Sequence, residues 1–519
     1  MNIYQLFPRL FGNKQTAFRM NGSKDENGCG TFNDINNSAL DAIKDLGITH
    51  IWLTGALEHA SESTGTHPDI TKGRAGSPYA VTNYHAIDPD LGTMDDFAQL
   101  VSRIHQKGMK VIIDFIPNHL ARQNKGFAPC NFYYCEGRPF VTPKPKDLET
   151  LISERNESGL SIRKPYEEFP AKATGNNVFA PDPSINDWYD TVKLNYDVHD
   201  TWEKMLEILR FWCDKNVDGF RVDMAEMVPV AFWQWVISEL RKDYHPLMIA
   251  EIYQPDLYKP FLDAGFDYLY DKVGLYNTLE RVLCQSQEAK EISQVWKDLN
   301  DLDEHMLRFM ENHDEKRLAS PQFVGDAFAA LPAVSLSALM NTGPFMVYNG
   351  QESGENAIGE VGYSGDDGRT SIFDYCHMPQ HQKWMNGGQF DGGQFDEAQK
   401  RLFDYYRNLL HFRNEHSAIS EGKFYDLMWC NPWYMNFDPQ FVYAFLRYSE
   451  KERLLVVVNF HRSETRDVEV KIPHDALALM GRSKANEFDM NDFATEVHSV
   501  HLEPSETKII DLDSGRTMK

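Results

Sequence analysis

A regular alternation of short apolar runs with longer amphipathic stretches is the feature that most constrains the fold. The runs of strand length are Ile3–Pro8, Thr49–Thr54, Lys110–Ile116, Val217–Asp223, Pro246–Ile252, Phe266–Tyr270, Leu307–Glu311 and Pro344–Tyr348. The stretches with helical period include Thr93–Lys107, Trp202–Lys215, Val230–Arg241 and Glu397–His416. Strands that alternate with helices form parallel sheets, because each crossover helix returns the chain to the same edge. This pattern predicts an α/β protein built on a (β/α)8 TIM barrel with long insertions.

Two parts of the chain depart from this alternation. After the third predicted strand, a stretch rich in Pro, Asn, Lys and Glu has no clear helical period, which predicts an inserted subdomain over the barrel mouth. Near the C-terminus the apolar period changes to two in Phe441–Arg447 and Leu454–Phe460, with a charged turn between them, as expected for an antiparallel hairpin. We therefore expect a barrel over 1–119 and 191–418, an insertion over 120–190, and a C-terminal antiparallel β domain, a β-sandwich, over 419–519.

The charge balance limits the classes of partner. Lys and Arg total 52 against 77 Asp and Glu, a net charge of −25 that would repel nucleic-acid phosphates and anionic lipids. No run of eighteen apolar residues occurs, so no membrane span is predicted. The start of the chain lacks the features of a secretory signal, which predicts a cytoplasmic protein, although a processed secreted or periplasmic chain would look the same. The oligomeric state is not indicated.

The cysteines indicate neither a disulfide framework nor a metal site. There are seven, an odd number, and they are scattered along the chain. Cys130 and Cys135 form the one close pair, but no second pair and no His at matching spacing accompany them. Two free thiols in a loop are the expectation.

Carboxyl residues stand at the C-terminal ends of four predicted strands, the end at which such barrels carry their chemistry. They are Asp114, Asp223, Glu251 and Asp314. Strand alternation puts Arg221 and Asp223 on the same side of their strand, where the cation favours the ionised carboxylate. Glu251 closes an apolar strand, where partial burial favours the protonated form that donates a proton. An ionised and a protonated carboxyl together form the pair that glycoside hydrolysis requires. Any one of these acids alone is better explained as the structural partner of a nearby cation, and it is their occurrence together that favours the catalytic interpretation.

Longer strings around these acids resemble the signatures of the α-amylase family of retaining α-glucan enzymes. The strings are Asp114-Phe115-Ile116-Pro117-Asn118-His119, Gly219-Phe220-Arg221-Val222-Asp223, Glu251 with its apolar approach, and Asn312-His313-Asp314, in the order and spacing of the first to fourth signatures. Tyr4–Pro8 resembles the first strand of the family and Asn349–Glu352 the end of its eighth strand, so the resemblance covers nearly the whole chain.

The resemblance implies roles for the three acids. Asp223 would be the nucleophile, Glu251 the general acid and then base, and Asp314 the residue that binds sugar hydroxyls in the transition state. The implied reaction is hydrolysis of α-1,4-glucosidic bonds in malto-oligosaccharides or starch-type glucans through a covalent glycosyl-enzyme intermediate.

The same resemblance implies a set of substrate-binding residues. Arg221 would orient the nucleophile, and Asp114 belongs to the same set through the first signature. His119 and His313 would donate hydrogen bonds to the sugar in the cleavage subsite, and Tyr79 would stack beneath it.

Two alternatives to hydrolysis remain open. A transglycosylase or isomerase of the same family would form the same kind of intermediate, and the acceptor would decide the product. A non-catalytic glucan-binding relative would share the fold without the activity. The presence of Asp223, Glu251 and Asp314 together argues against that second alternative.

The chain departs from the family pattern just after the nucleophile. Amylases that act on long starch chains often carry Lys-His there, whereas this chain has Glu226-Met227. A carboxylate cannot donate as Lys would, so we expect recognition on the leaving side to differ and polymeric starch to be a less favoured substrate.

Another departure bears on calcium. Lys193, in Val192–Tyr196, stands where many members carry the Asp that helps bind calcium, and a cation there would oppose Ca²⁺. Asn118 is then expected to play a hydrogen-bonding role, and we expect no cofactor and assign no metal ligands. A weaker calcium candidate is the loop Ser23–Thr31, which offers Ser23, Asp25 and Asn27 but only one carboxylate; a plain turn-rich loop is the alternative.

Overall fold

The computed structural model describes residues 1–133, 166–167, 173, 178–179, 188–284, 286–359, 365–432, 436–482 and 496–518. Eight parallel strands close into a barrel in which each strand pairs with its neighbours in the chain and the eighth pairs with the first. They are β1 (Asn2–Leu6), β2 (His50–Leu53), β3 (Lys110–Phe115), β4 (Gly219–Val222), β5 (Leu247–Ala250), β6 (Tyr268–Tyr270), β7 (Met306–Phe309) and β8 (Phe345–Tyr348). The predicted barrel is confirmed, and every predicted strand is present with somewhat shorter bounds.

Helices surround the barrel. They are α1 (Asn37–Asp45), α2 (Met94–Gln106), α3 (His199–Asp214), α4 (Val230–Leu240), α5 (Tyr258–Ala264), α6 (Asn277–Leu283), α7 (Ile292–Leu299), α8 (Leu331–Leu339), α9 (Pro379–Met385) and α10 (Glu397–Glu415), followed after the barrel by α11 (His474–Leu479). Where α2 begins, Thr93 and Asp96 form a capping box, which satisfies backbone N–H groups that the first turn leaves without partners. Within the described ranges, no helix is both long enough and apolar enough to cross a bilayer.

Strand β4 shows how alternation positions the chemistry. Phe220 points outward and its ring packs against Phe115, which in turn contacts Trp233 of α4. Arg221 points the other way, into the barrel, where it is completely buried. Since Asp223 lies two residues further on, it points to the same side as Arg221, as the period of a strand requires.

The insertion begins with a short antiparallel pair of strands. His119–Ala121 pairs with Thr191–Lys193, so the chain leaves and re-enters the barrel at adjacent points. Most of the residues between these strands lie outside the described ranges, and the proposed bounds of the inserted subdomain remain a prediction.

The C-terminal part contains two antiparallel sheets. A five-stranded sheet contains β9 (Lys423–Asp426), β10 (Val442–Tyr448), β11 (Arg453–Asn459), β14 (Thr507–Asp511) and β15 (Arg516–Met518), and a two-stranded sheet contains β12 (Arg466–Ile472) and β13 (Glu496–Leu502). Strands β10 and β11 pair over their whole length, with Val442 opposite Asn459, which is the hairpin expected from the period-two pattern. The expected antiparallel β domain is therefore present.

Arg447 in β10 ties this sheet to the barrel. Its buried guanidinium donates to the carbonyls of Ala418, Ile419 and Gly422, where the chain leaves the barrel, and to the carbonyl of Met340 just after α8. The bonds to Ala418, Ile419 and Met340 are buried, and loss of the donor to a buried carbonyl is costly.

We expect Arg447→Met to lower the free energy of unfolding by about 3 kcal/mol or more, because several buried carbonyls lose their donor at once. Urea unfolding followed by tryptophan fluorescence measures this loss. The matched control is Arg516→Met in β15, where the side chain is exposed and the expected change is within about 0.5 kcal/mol. If the two variants have the same free energy of unfolding, the bonds of Arg447 do not hold the sheet to the barrel.

Candidate active site

One buried guanidinium holds the carboxylates at the barrel mouth together. The NH1 nitrogen of Arg221 donates to Asp223 Oδ1 at 2.7 Å, and NH2 lies 2.9 Å from Glu251 Oε1 as an ion pair without hydrogen-bond geometry. Asp114 Oδ1 lies 3.5 Å from the same NH1. The Nε group donates to the hydroxyl of Tyr270 at 3.1 Å. Asp223 and Glu251 are therefore neighbours across a single side chain.

Glu251 is held by donors on both carboxyl oxygens. Its Oε2 accepts from the backbone N–H of Met224 at 2.7 Å, and its Oε1 accepts from the hydroxyl of Tyr253 at 2.6 Å. Only 3% of the residue is exposed, so few other arrangements of this carboxyl are open to it. The side chain is fixed at the end of β5, where the sequence places it.

Burial dominates the electrostatics of Asp223. Loss of water raises the pKa of Asp223 well above its usual range, and the nearby charge of Glu251 raises it further, while Arg221 opposes both effects. The sequence-based expectation that Arg221 favours the ionised form is right in direction. It is outweighed, because one cation serves two adjacent carboxylates in a nearly dry site.

The two histidines occupy different positions. His119 Nε2 lies 3.8 Å from Asp223 Oδ2, and burial lowers the pKa of His119 to about 3, so the ring is a neutral hydrogen-bonding group. His313 stacks on Tyr79, with 5.1 Å between ring centroids, and its Nδ1 contacts Gln5 Nε2 at 2.7 Å. Its Nε2 lies 3.1 Å from Asp314 Oδ2. His313 thus links Tyr79 to Asp314.

A cavity of about 410 Å³ opens at this end of the barrel. Of the predicted site residues, those that line it are Tyr79, His119, Asp223, Glu251 and Asp314. The other three, Asp114, Arg221 and His313, are buried. Arg221 contacts Asp223 and His313 contacts Tyr79, both lining residues, whereas Asp114 contacts Arg221. Direct contact of those three with a sugar remains a prediction.

Further residues line the cavity that sequence reasoning did not single out. They are Lys72, Ser77, Trp188, Asp190, Thr191, Met224, Tyr253, Arg369, Ile372 and Phe373. Most come from loops far apart in the chain, where no periodicity indicates which side chains meet. Tyr253 could have been identified from the sequence, because it is an aromatic residue two positions after a predicted catalytic acid.

The carboxylate of Glu226 accepts hydrogen bonds from a neighbouring loop. Glu226 Oε2 accepts from the backbone N–H groups of Tyr253 at 2.8 Å and Gln254 at 3.0 Å. The carboxylate therefore anchors the loop after β5. The carboxylate that stands here in place of a Lys is used to bind the backbone.

The expected calcium position contains an internal cation. Lys193 Nζ donates to Asn118 Oδ1 at 2.8 Å, and Asn118 Nδ2 donates to the carbonyl of Ala173 at 3.0 Å. The oxygen that calcium would take is thus already bonded to an ammonium group, and like charge would repel the ion. These residues do not fit the calcium that many members of the family bind.

The weaker calcium candidate is also committed to other bonds. Ser23 caps a short helix, Lys24–Asn27, in a capping box with Glu26, and the Asn27 side chain bonds the backbone of Arg19 and Tyr375. Across the part of the chain that the structure describes, no group of three or more His, Cys, Asp or Glu side chains is placed to hold a metal. Of the close cysteine pair, Cys130 is exposed and Cys135 lies outside the described residues.

Comparisons with known proteins relate this barrel and its acids to glycoside hydrolases. Residues 5–244 match the family model for the α-amylase catalytic domain. The chain is 26% identical to alpha-amylase 3 of Dictyoglomus thermophilum over 82% of its length and 80% of that protein. It is 24% identical to a probable oligo-1,6-glucosidase 2 of Bacillus subtilis over 94% of its length and 95% of that protein.

A solved structure shows the same fold. The maltogenic α-amylase AmyB from Thermotoga neapolitana superposes with a TM-score of 0.60 at 22% identity, covering 99% of this chain and 96% of that one. These matches relate the chain to the α-amylase family of glycoside hydrolases.

We expect the chelator EDTA to leave both the melting temperature and the activity of the protein nearly unchanged, because Lys193 occupies the place of the metal. Lys193→Met should instead lower the free energy of unfolding by about 1–2 kcal/mol, since Asn118 Oδ1 loses its donor. The control is Lys242→Met, which removes an exposed ammonium from the end of α4. A large loss on adding EDTA, restored by Ca²⁺ and still seen in Asp25→Ala, would show this interpretation to be wrong.

Proposed function

We propose that this protein is a retaining hydrolase of α-1,4-glucosidic bonds in malto-oligosaccharides, with Asp223 as nucleophile and Glu251 as acid and base. The observation that carries the proposal is the contact of both carboxylates with the one guanidinium of Arg221, at 2.7 and 2.9 Å. Carboxyl groups of a retaining pair stand about 5–5.5 Å apart, whereas an inverting pair is separated widely enough to admit a water. A shared guanidinium supports the close arrangement.

The first step of the proposed reaction forms a covalent intermediate. A carboxylate oxygen of Asp223 attacks the anomeric carbon, the bond to the leaving oxygen breaks, and the proton of Glu251 passes to that oxygen. In the second step Glu251 takes a proton from water, the resulting oxygen attacks the same carbon, and Asp223 leaves as a carboxylate. Asp314, which lines the cavity, is placed to accept hydrogen bonds from sugar hydroxyls.

The substrate class follows from two observations. A relative is named an alpha-amylase, which supports α-1,4-linked glucose chains. Glu226 is bonded to the backbone and offers no cation to a long chain on the leaving side, which supports short oligosaccharides.

A second candidate is hydrolysis of α-1,6 bonds, which the match to a probable oligo-1,6-glucosidase favours. Incubation with maltoheptaose and with isomaltotriose decides between the linkages. The same maltoheptaose reaction with added glucose measures transglycosylation: new products that contain the added sugar would favour the transferase alternative.

Asp223→Asn and Glu251→Gln should each lower kcat by about a thousandfold with the fold intact, because each keeps the size of the side chain and loses its charge or proton. Initial-rate measurements on maltoheptaose, with proton NMR of the first-formed anomer, check the roles and the retained α configuration. The matched controls are Asp263→Asn and Glu203→Gln, which change exposed acids on α5 and α3. Near-normal turnover in either site variant, or a first-formed β anomer, would refute the proposal.

The raised pKa of Asp223 predicts the pH dependence of the reaction. The nucleophile must be ionised, so kcat/KM should fall as the pH drops, and the acidic limb should lie above the usual Asp range near 3.9. The limb belongs to the carboxyl pair, not to one residue. The measurement is kcat/KM for maltoheptaose from pH 3 to 9. A limb at or below about 4 would contradict the effect of burial on Asp223.

A further inference from the structure

Two side chains outside the catalytic acids form a chain of contacts that ends on Glu251. The Tyr253 hydroxyl donates to Glu251 Oε1, and the Tyr253 backbone N–H donates to Glu226 Oε2. Glu226 also accepts from the N–H of Gln254, so one carboxylate holds two consecutive peptide groups. The loop after β5 therefore presents a tyrosine hydroxyl to the acid at a position fixed by the loop after β4.

From this arrangement we infer that Tyr253 is a positioning residue for the general acid, and that Glu226 sets the position of Tyr253. The inference rests on the proposed function of Glu251. It assigns a purpose to the acid at position 226, which replaces a cation common in amylases of long starch chains.

In its contact with Glu251, Tyr253 is the hydrogen-bond donor. Burial and the charge of Glu251 raise the pKa of Tyr253 well above its usual value, so its hydroxyl keeps its proton. The phenol points its O–H at a carboxylate oxygen at 2.6 Å, a short, charge-assisted hydrogen bond. Tyr253 also lines the cavity, as Glu251 does.

The contacts of Glu251 show why this donor matters. The N–H of Met224 donates to Oε2 of Glu251, and Arg221 lies beside Oε1 as an ion pair without hydrogen-bond geometry. Tyr253 approaches from the loop after β5 and supplies the hydrogen bond to Oε1, which orients that side of the carboxyl. Without it, the proton of Glu251 would be presented in more than one direction, and misplacement of a catalytic group is costly to rate.

The test uses two substrates that differ in their need for acid assistance. The glucosyl leaving group of maltoheptaose requires a proton, whereas the fluoride of α-maltotriosyl fluoride leaves with little help. Tyr253→Phe should lower kcat/KM for maltoheptaose by roughly tenfold or more, a part of what general acid catalysis contributes, and change kcat/KM for the fluoride by less than about twofold. Because kcat/KM reports the glycosylation step, the later need for Glu251 as a base does not enter.

Variants at Glu226 test the second half of the inference. Glu226→Ala should reproduce the selective loss on maltoheptaose, because the loop loses its acceptor. Glu226→Gln should recover most of that loss, since its amide oxygen still accepts from the backbone. The double variant Tyr253→Phe with Glu226→Ala should be no slower than Tyr253→Phe alone, because both changes break the same linkage.

A matched control distinguishes this role from a general effect of losing a tyrosine hydroxyl. Tyr425 donates to Asp475 at 2.6 Å in the C-terminal domain, the same kind of bond away from the site, and Tyr425→Phe should leave both substrates unaffected. Equal losses on both substrates in Tyr253→Phe, no loss on either, or additive losses in the double variant would overturn the inference. Wild-type protein that turns over neither substrate would refute the proposed function instead.

Discussion

The arrangement of the active site depends on one buried cation inside the barrel. Arg221 contacts Asp114, Asp223 and Glu251, and the rings of Trp52, Tyr79 and Tyr270 lie 5.3 to 5.5 Å from its guanidinium carbon. Aromatic walls exclude water and so strengthen every charge interaction between these groups. Burial raises the pKa of both Asp114 and Asp223, and the positive charge of Arg221 opposes this effect without cancelling it.

A second buried cation stabilises the edge of the same site. Lys193 bonds Asn118, which directly precedes His119 in the chain, and His119 in turn lines the cavity beside Asp223. The position of His119 therefore depends on the ammonium group of Lys193. A metal would bind reversibly, with an occupancy set by its concentration, whereas a lysine is always present at fixed stoichiometry. Burial lowers the pKa of Lys193, so its charge costs free energy that the bond to Asn118 offsets in part.

The elements predicted from periodicity are those whose residues are close together in the chain. All eight barrel strands, the helices with clear apolar faces and the β10–β11 hairpin are present, because local alternation and burial of one face determine them. The acids at strand ends were predictable for the same reason, since the C-terminal ends of parallel strands meet at one mouth. Their roles came from resemblance of the surrounding strings to a family.

Other features depend on contacts between distant segments, which periodicity does not encode. The hydrogen bonds between Glu226 and the loop after β5 depend on how strands β4 and β5 are aligned. The positions of Lys72 and Arg369 in the cavity wall depend on the paths of two long loops. The ionisation of Asp223 shows this limit most clearly. The neighbouring Arg221 favours the ionised form, but burial, together with the charge of Glu251, raises the pKa of Asp223.

The positive charge that Arg221 shares among several carboxyls also bears on substrate binding. Burial and the charge of Glu251 raise the pKa of Asp223, and under the proposed mechanism a proton on Asp223 would block attack. A bound sugar would bring an anomeric carbon that becomes positive as the leaving bond stretches, and this charge would favour the ionised form of Asp223. Charge at the reacting carbon and charge on the nucleophile then develop together. The burial that raises the cost of ionising Asp223 would then strengthen its attraction to the positive charge that develops at the reacting carbon.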